Sequence, residues 1–340
     1  MASARLFNLD CIRVIANLLI ILFHYTVWTH RLLADDLLLV GNYAVIGAIG
    51  VSLFLILSGA SLSLGCGGQF RALDFYRKRW LAIFPMFYLV YACCMILALA
   101  AGQYQFSPDR NPLSFVLTIF ALDGLLASLL PTYYLVGEWF LGCIVIIYLL
   151  FPLIRRSFAW NQPLTLLIAF ACVFLLQVYY TLALPLQYLP LYRLAEFVCG
   201  MYILSQLAGD RPSGRVRVWT LAMALVALLL VGGQAVSAFK MNICGILVFI
   251  SLVFAMARPG SQRLARVAAM LSRLSYPAFL LHHVILKQVI LFTRDIIESR
   301  MANLFVFVLL LIVVYLTAAL FDTTLRRLFK LAQRQGALLR

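Results

Sequence analysis

Acidic residues are scarce in this sequence. Twelve Asp and Glu stand against 27 Lys and Arg, and only 11% of the 340 residues are charged, where a soluble globular domain carries about 25%. So little polar surface cannot cover a soluble fold. A soluble chain of this length keeps roughly a quarter of its unfolded surface in water. Here 65% of residues are hydrophobic and the mean hydropathy is +1.01. A soluble enzyme, a disordered chain and a disulfide scaffold are excluded. The usual signatures of catalysts are missing too: there is no GxSxG, HExxH, GxGxxG, phosphate-cradling glycine loop or paired carboxylate. CxxC is also absent. Seven of the eight cysteines lie in or beside apolar runs. They read as small hydrophobes among helices, so no disulfide and no metal framework is expected.

What is present is a series of long apolar runs. A spanning helix needs about 20 such residues. Ten stretches qualify, at roughly 10–28, 43–64, 80–101, 135–154, 163–184, 187–207, 216–232, 239–257, 274–293 and 302–321. The expectation is an all-α polytopic bundle of about ten membrane helices, with residues 1–340 forming one integral-membrane domain. The first run is too long for a cleaved signal, and Trp28-Thr29-His30-Arg31 follows where small residues would be needed.

Placing both termini in the cytoplasm puts nineteen Lys/Arg in inside segments and five outside, with Arg13, Arg193 and Lys287 left within spans. That asymmetry is the positive-inside pattern of a cell-membrane protein. It accounts for the net charge of +15 without nucleic acid as a partner. An eleventh stretch, 113–130, contains Asp123 and Gly124 and closes on Pro131. Were it to cross, every later basic loop would move outside, so it reads as a re-entrant or interfacial helix in an outer loop, 102–134. The basic tail 325–340 reads as an anchor on the inner leaflet.

Charged groups inside spans cost about 2.5–3.5 kcal/mol each on insertion scales. Those retained are therefore candidate functional groups. Arg13, Asn17 and His24 share one stripe of the first span: eleven steps leave about 20° of rotation and about 16 Å of rise. A snorkelling Arg with an interfacial His is the plain alternative. Arg193 and Glu196, at i,i+3, can neutralise one another as a structural or a functional pair. His282 and His283 point about 100° apart on a helix, so one of them at most is expected to face a given cavity.

In order along the chain, these residues resemble the membrane acyltransferase-3 family. Leu9-Asp10-x-x-Arg13 with His24 is similar to its Arg-x10-His signature. Gly50-Val51-x-Leu53-Phe54-x-x-Leu57-Ser58-Gly59 resembles its second-span motif, and Phe75-Tyr76-x-x-Arg79 with Ile83-x-Pro85 its basic third-span motif. Trp139-Phe140-Leu141 followed by Tyr148-Leu149-Leu150-Phe151-Pro152 resembles the fourth-span pattern. Arg193-x-x-Glu196-Phe197-x-x-Gly200 resembles the sixth, and Leu274-Ser275-Tyr276 with Leu281-His282 the late Ser-Tyr…His motif. Two positions depart: Ala82 stands where a second Arg is common, and Ile144 where a Glu is common.

The resemblance implies about ten spans, core motifs over 9–283, and transfer of an acyl group, usually acetyl, from acetyl-CoA to a hydroxyl of an envelope glycan or lipid-linked sugar. No permanently bound cofactor is implied; acyl-CoA is a co-substrate. It implies His24, Arg13 and His282 as the catalytic set. Arg13, Asn17, Arg79, Ser275 and Tyr276 fall to CoA, and Arg193, Glu196, Glu138 and Trp139 to the acceptor. In chemical terms His24 is the candidate base, His282 a candidate to polarise the thioester, and the Arg side chains suit phosphate. A transporter or flippase, or a non-catalytic subunit of a polysaccharide export system, also keeps buried charges in many spans. Inverted repeats would favour the transporter, and none is evident.

Overall fold

Apolar segments that leave water must close their backbone hydrogen bonds internally, which in a bundle means helices. The computed structural model describes residues 2–33, 43–64, 70–102, 111–137, 139–181, 183–206, 238–256, 261–297 and 299–338, and among these there is no strand. In chain order the helices are α1 (Ala2–Leu33), α2 (Tyr43–Leu64), α3 (Ala72–Ala100), α4 (Phe115–Ile119), α5 (Asp123–Leu126), α6 (Trp139–Trp160), α7 (Gln162–Tyr179), α8 (Pro190–Gln206), α9 (Ala238–Ala255), α10 (Gln262–Thr293) and α11 (Arg300–Leu338).

Seven of them, α1, α2, α3, α6, α7, α10 and α11, are long and apolar enough to cross a membrane. α8, with 17 residues, is shorter, as is the apolar Phe239–Ala255 of α9. The stretch 216–232 lies outside the described residues.

Segment 113–130 is not one helix. A short 3-10 turn leads into α4, and the chain breaks at Ala121, whose φ of 57° is left-handed and uncommon for a residue with a Cβ. Leu113, Phe115, Val116 and Ile119 are exposed, while Ala121, Asp123 and Leu125 are buried. The buried side rests on α6 at Gly142, where an added Cβ would come within 2.9 Å of Leu125 Cβ. Neither α4 nor α5 is long enough to span.

Contacts fix the helix directions. Arg13 Nη1 donates to Ser272 Oγ at 2.9 Å, and the His24 ring lies 5.2 Å from that of His282, so α1 and α10 run the same way. Asn17 Nδ2 donates to Tyr315 Oη at 3.0 Å, and Tyr25 Oη donates to Asn303 Oδ1, so α11 runs oppositely. Tyr276 Oη donates to the Ile83 carbonyl at 3.0 Å, tying α10 to α3.

α2 is the centre of the packing. A Cβ at Gly59 would overlap the Phe197 carbonyl oxygen, and one at Gly200 would overlap that of Ile56. The two helices cross backbone to backbone through these glycines, as small residues allow between helices in lipid.

α3, α10 and α11 extend well beyond their apolar centres. The Ser261 side chain accepts from Leu264 N and starts α10, adding a basic overhang that carries Arg263, Arg266 and Arg273. The 39 residues of α11 span about 58 Å, against a hydrocarbon core of about 30 Å. The described cysteines are all free.

Candidate active site

The parallel pair α1 and α10 supplies most of the polar groups. Beside it lies a cavity of about 170 Å³, lined by Arg13, Ser58, Tyr148, Ser275 and Tyr276 together with Phe54, Leu57, Ile83, Phe140, Leu141, Ile144 and Phe279. Arg13 also lies 3.7 Å from Asp10. One wall is aromatic: the Phe54, Phe140 and Phe279 rings are 5.7–6.4 Å apart, centre to centre. Behind that wall, 5.7 Å from Phe279, is the His282 ring.

His282 belongs to a cluster of three imidazoles. His24, His282 and His283 bring ring nitrogens within 4.8 Å of one another. The two adjacent imidazoles, expected to face apart, meet at one place: the His283 ring is 4.2 Å from His24 and 4.5 Å from His282. Adjacent side chains do diverge by about 100° at the helix surface. The His24 ring lies between the two directions, and both imidazoles reach it. His282 Nδ1 is 2.6 Å from the Phe279 carbonyl. A carbonyl only accepts, so Nδ1 carries the hydrogen. His282 Nε2 is buried and has no hydrogen-bond partner among the described residues. Among the described residues the three rings form a group that could hold a metal ion. Nitrogens on a tetrahedral zinc, bound at about 2.0–2.1 Å, are roughly 3.4 Å apart.

The expected residues divide into three groups. Arg13, Ser275 and Tyr276 line the cavity, and His24 and His282 lie just beyond it. Asn17 is fully buried against Tyr315 and does not line the cavity. Arg79 is outside it, with its guanidinium 5.9 Å from the Tyr148 ring. Arg193 and Glu196 form a closed network elsewhere. Arg193 Nη1 donates to both Glu196 oxygens at 3.1 and 3.2 Å and to Asn242 Oδ1 at 3.0 Å, and Nε donates to the Gln187 carbonyl at 2.8 Å. Ser52 Oγ donates to Glu196. Trp139 lies under the Arg193 guanidinium at 5.5 Å and stacks on Tyr188 at 4.4 Å. Glu138 lies outside the described residues. His283 and the phenylalanine wall escaped sequence reasoning. The HH pair was legible but not that both rings meet His24, and although Phe54 and Phe140 stand in the motifs quoted above, nothing in the sequence marked them as one wall with Phe279.

Outside the spans, Asp123 is 2% exposed. Burial pushes its carboxyl up to about 6, partly offset by the Gly124 amide that donates to it.

With seven helices long and apolar enough to cross a membrane, and no strand among the described residues, the chain is a multi-pass membrane protein. The acyltransferase-domain profile of the acyltransferase-3 family matches residues 6–322. The chain belongs to that family and is a membrane acyltransferase. No curated protein and no solved structure matches it.

Proposed function

We propose that the protein moves an acyl group, acetyl in the simplest case, from cytoplasmic acyl-CoA to a hydroxyl of a cell-surface or lipid-linked sugar, in the inner membrane. The carrying observation is the alignment of Arg13, the cavity and the imidazole cluster along α1 and α10. Arg13 and His24 are about 16 Å apart along the axis, a span comparable to an extended pantetheine arm. In this reading CoA phosphates meet Arg13 and Arg79 at the basic end, through the bidentate contacts that guanidinium favours. The thioester arm runs past Ser275 and Tyr276. The acceptor enters from the opposite end, where Trp139 and Tyr188 stack and the Gly137 amide donates to Leu280 O.

His24 removes the hydroxyl proton as oxygen attacks the thioester carbon. Collapse breaks the C–S bond, and the same proton goes to the departing sulfur. The products are the ester and free CoA thiol.

The test is transfer from labelled acetyl-CoA by purified protein in proteoliposomes, with sugar acceptor inside. His24→Ala should abolish transfer while CoA binding stays within about threefold, a change under about 1 kcal/mol. Arg13→Ala should weaken CoA binding by about 1.5–3 kcal/mol, the worth of a hydrogen bond to a charged group. Normal transfer by His24→Ala defeats the assignment.

A further inference from the structure

Histidine is rare in this chain, with four in 340 residues, and three of the four meet. Their ring centres form a triangle with sides of 4.2, 4.5 and 5.2 Å. His24 of α1 thus faces His282 and His283 of α10 together. The donor nitrogens lie within 4.8 Å of one another, and among the described residues no Cys, Asp or Glu joins the group.

We infer that His24, His282 and His283 form a zinc site. A neutral imidazole carries one N–H and one lone pair, on different nitrogens. Each ring can therefore ligate through one nitrogen and keep a hydrogen bond at the other. His282 shows that division. Its Nδ1 hydrogen goes to the Phe279 carbonyl at 2.6 Å. Nε2 is left with the lone pair, buried and without a hydrogen-bond partner among the described residues. A metal-bound histidine almost always donates its other N–H in this way, and the contact fixes the ring's orientation. Nitrogens on a tetrahedral zinc are roughly 3.4 Å apart, so the separations must close by about 1.4 Å at most. Rotation about the soft χ2 of histidine swings the nitrogens while the helices stay in place.

The donor set selects the ion. Imidazole nitrogens suit zinc and its first-row neighbours, whereas calcium and magnesium take oxygen. Three protein ligands leave the fourth tetrahedral position open, as in the zinc sites of enzymes. A hydroxide or another anion fills it and offsets part of the ion's charge. His282 is fully buried, while His24 and His283 keep partial exposure, so the ion enters past those two rings. The consequence for turnover rests on the acyl-transfer reading above. A lone pair given to zinc cannot take the hydroxyl proton. Metal binding and proton abstraction are then alternative states of His24, and the zinc-loaded protein is inactive.

The experiment uses the full chain in detergent, free of any histidine tag and stripped of metal with a chelator. Zinc is added against a chromophoric competitor, and bound metal is counted by mass spectrometry after gel filtration. Wild type should hold one zinc per chain. So should His30→Ala, whose histidine lies outside the cluster against Tyr43. His24→Ala, His282→Ala and His283→Ala should each weaken binding by more than the roughly 10–100-fold that losing an outer hydrogen-bond partner of a ligand costs. Cobalt in place of zinc should give the visible absorption of a four-coordinate site in wild type and not in these three variants. Where an alanine variant does not elute as wild type, His282→Asn and His283→Gln keep a polar side chain and replace it. A wild type that binds no zinc overturns the inference, as does any cluster variant that binds within about threefold of wild type, a change under about 1 kcal/mol. Zinc loading should lower acyl transfer about 10²-fold or more, the common worth of a general base, and chelation should restore it. If zinc binds at the three rings and transfer does not fall, His24 is not the base and the metal site stands. If the stripped wild type transfers acyl groups and binds no zinc, the metal site fails and the acyl-transfer reading stands.

Discussion

Removing Arg193 tests whether its network is scaffold or acceptor site. The side chain is 3% exposed and Glu196 is fully buried. Arg193→Ala deletes four hydrogen bonds and leaves the Glu196 carboxylate with Ser52 alone. Breaking one partner of a buried pair costs about 3–5 kcal/mol, because the remaining charge is uncompensated. At about 2–4 °C per kcal/mol for a large domain, thermal unfolding in detergent, followed by tryptophan fluorescence, should fall by roughly 6–20 °C. Replacing both charges by apolar residues of similar size, as in Arg193→Met with Glu196→Leu, should recover most of that loss, since such swaps are often neutral. If Arg193→Ala unfolds at the wild-type temperature but no longer uses acceptor, the pair belongs to the acceptor site and the structural reasoning is wrong.

Two further outcomes follow from the packing. Gly200→Ala places a methyl on the Ile56 carbonyl oxygen, so it should destabilise by about 1–3 kcal/mol or more; size-exclusion profiles of a fluorescent fusion matching wild type would contradict the backbone crossing. Asp123 binds its proton more tightly folded than unfolded, so docking of α5 should be strongest below about pH 4 and weaken as pH rises from about 4 to about 6, by about 3 kcal/mol in total. Asp123→Asn should remove that dependence, and hydrogen exchange of residues 122–127, corrected for intrinsic rates, should report it; equal protection at pH 4.5 and pH 7 in wild type would refute it.

The sequence exposes the apolar centres of helices better than their ends. The run at 274–293 belongs to a helix that begins at Gln262, and the run at 302–321 to one that continues to Leu338. Hydropathy registers where lipid replaces water, whereas a helix continues through basic residues until a cap or loop stops it. Ser261 is such a stop, legible only once the helix is known. The stripe of Arg13 and His24 was legible because charge in an apolar span is rare. Asn17 shared that stripe but is held by Tyr315, a contact from a helix nearly 300 positions away that helical periodicity cannot foresee. His283 was misjudged for the same reason: one helix's geometry says where side chains leave, not where a neighbouring ring waits to meet them. The phenylalanine wall looked like any other core.

The helix overhangs have a kinetic consequence. α3 and α10 begin, and α11 ends, at the Arg13 end of the bundle. Their extensions carry Arg77, Arg79, Arg266, Arg273, Arg326 and Lys330 around the end nearest the cavity. Arg273 and Arg326 share Asp322, but the net excess of positive charge at this end attracts polyanions, and such steering raises encounter rates by about 10-fold to 10³-fold. Its reach shrinks from about 30 Å in 0.01 M salt to about 8 Å at physiological ionic strength. If the donor is the acyl-CoA proposed above, salt should slow its capture while leaving turnover of the loaded protein nearly untouched. In the acyl-CoA reading proposed above, the bundle separates an ionic arrival step at the basic helix ends from a chemical step at the imidazoles beyond the three phenylalanine rings.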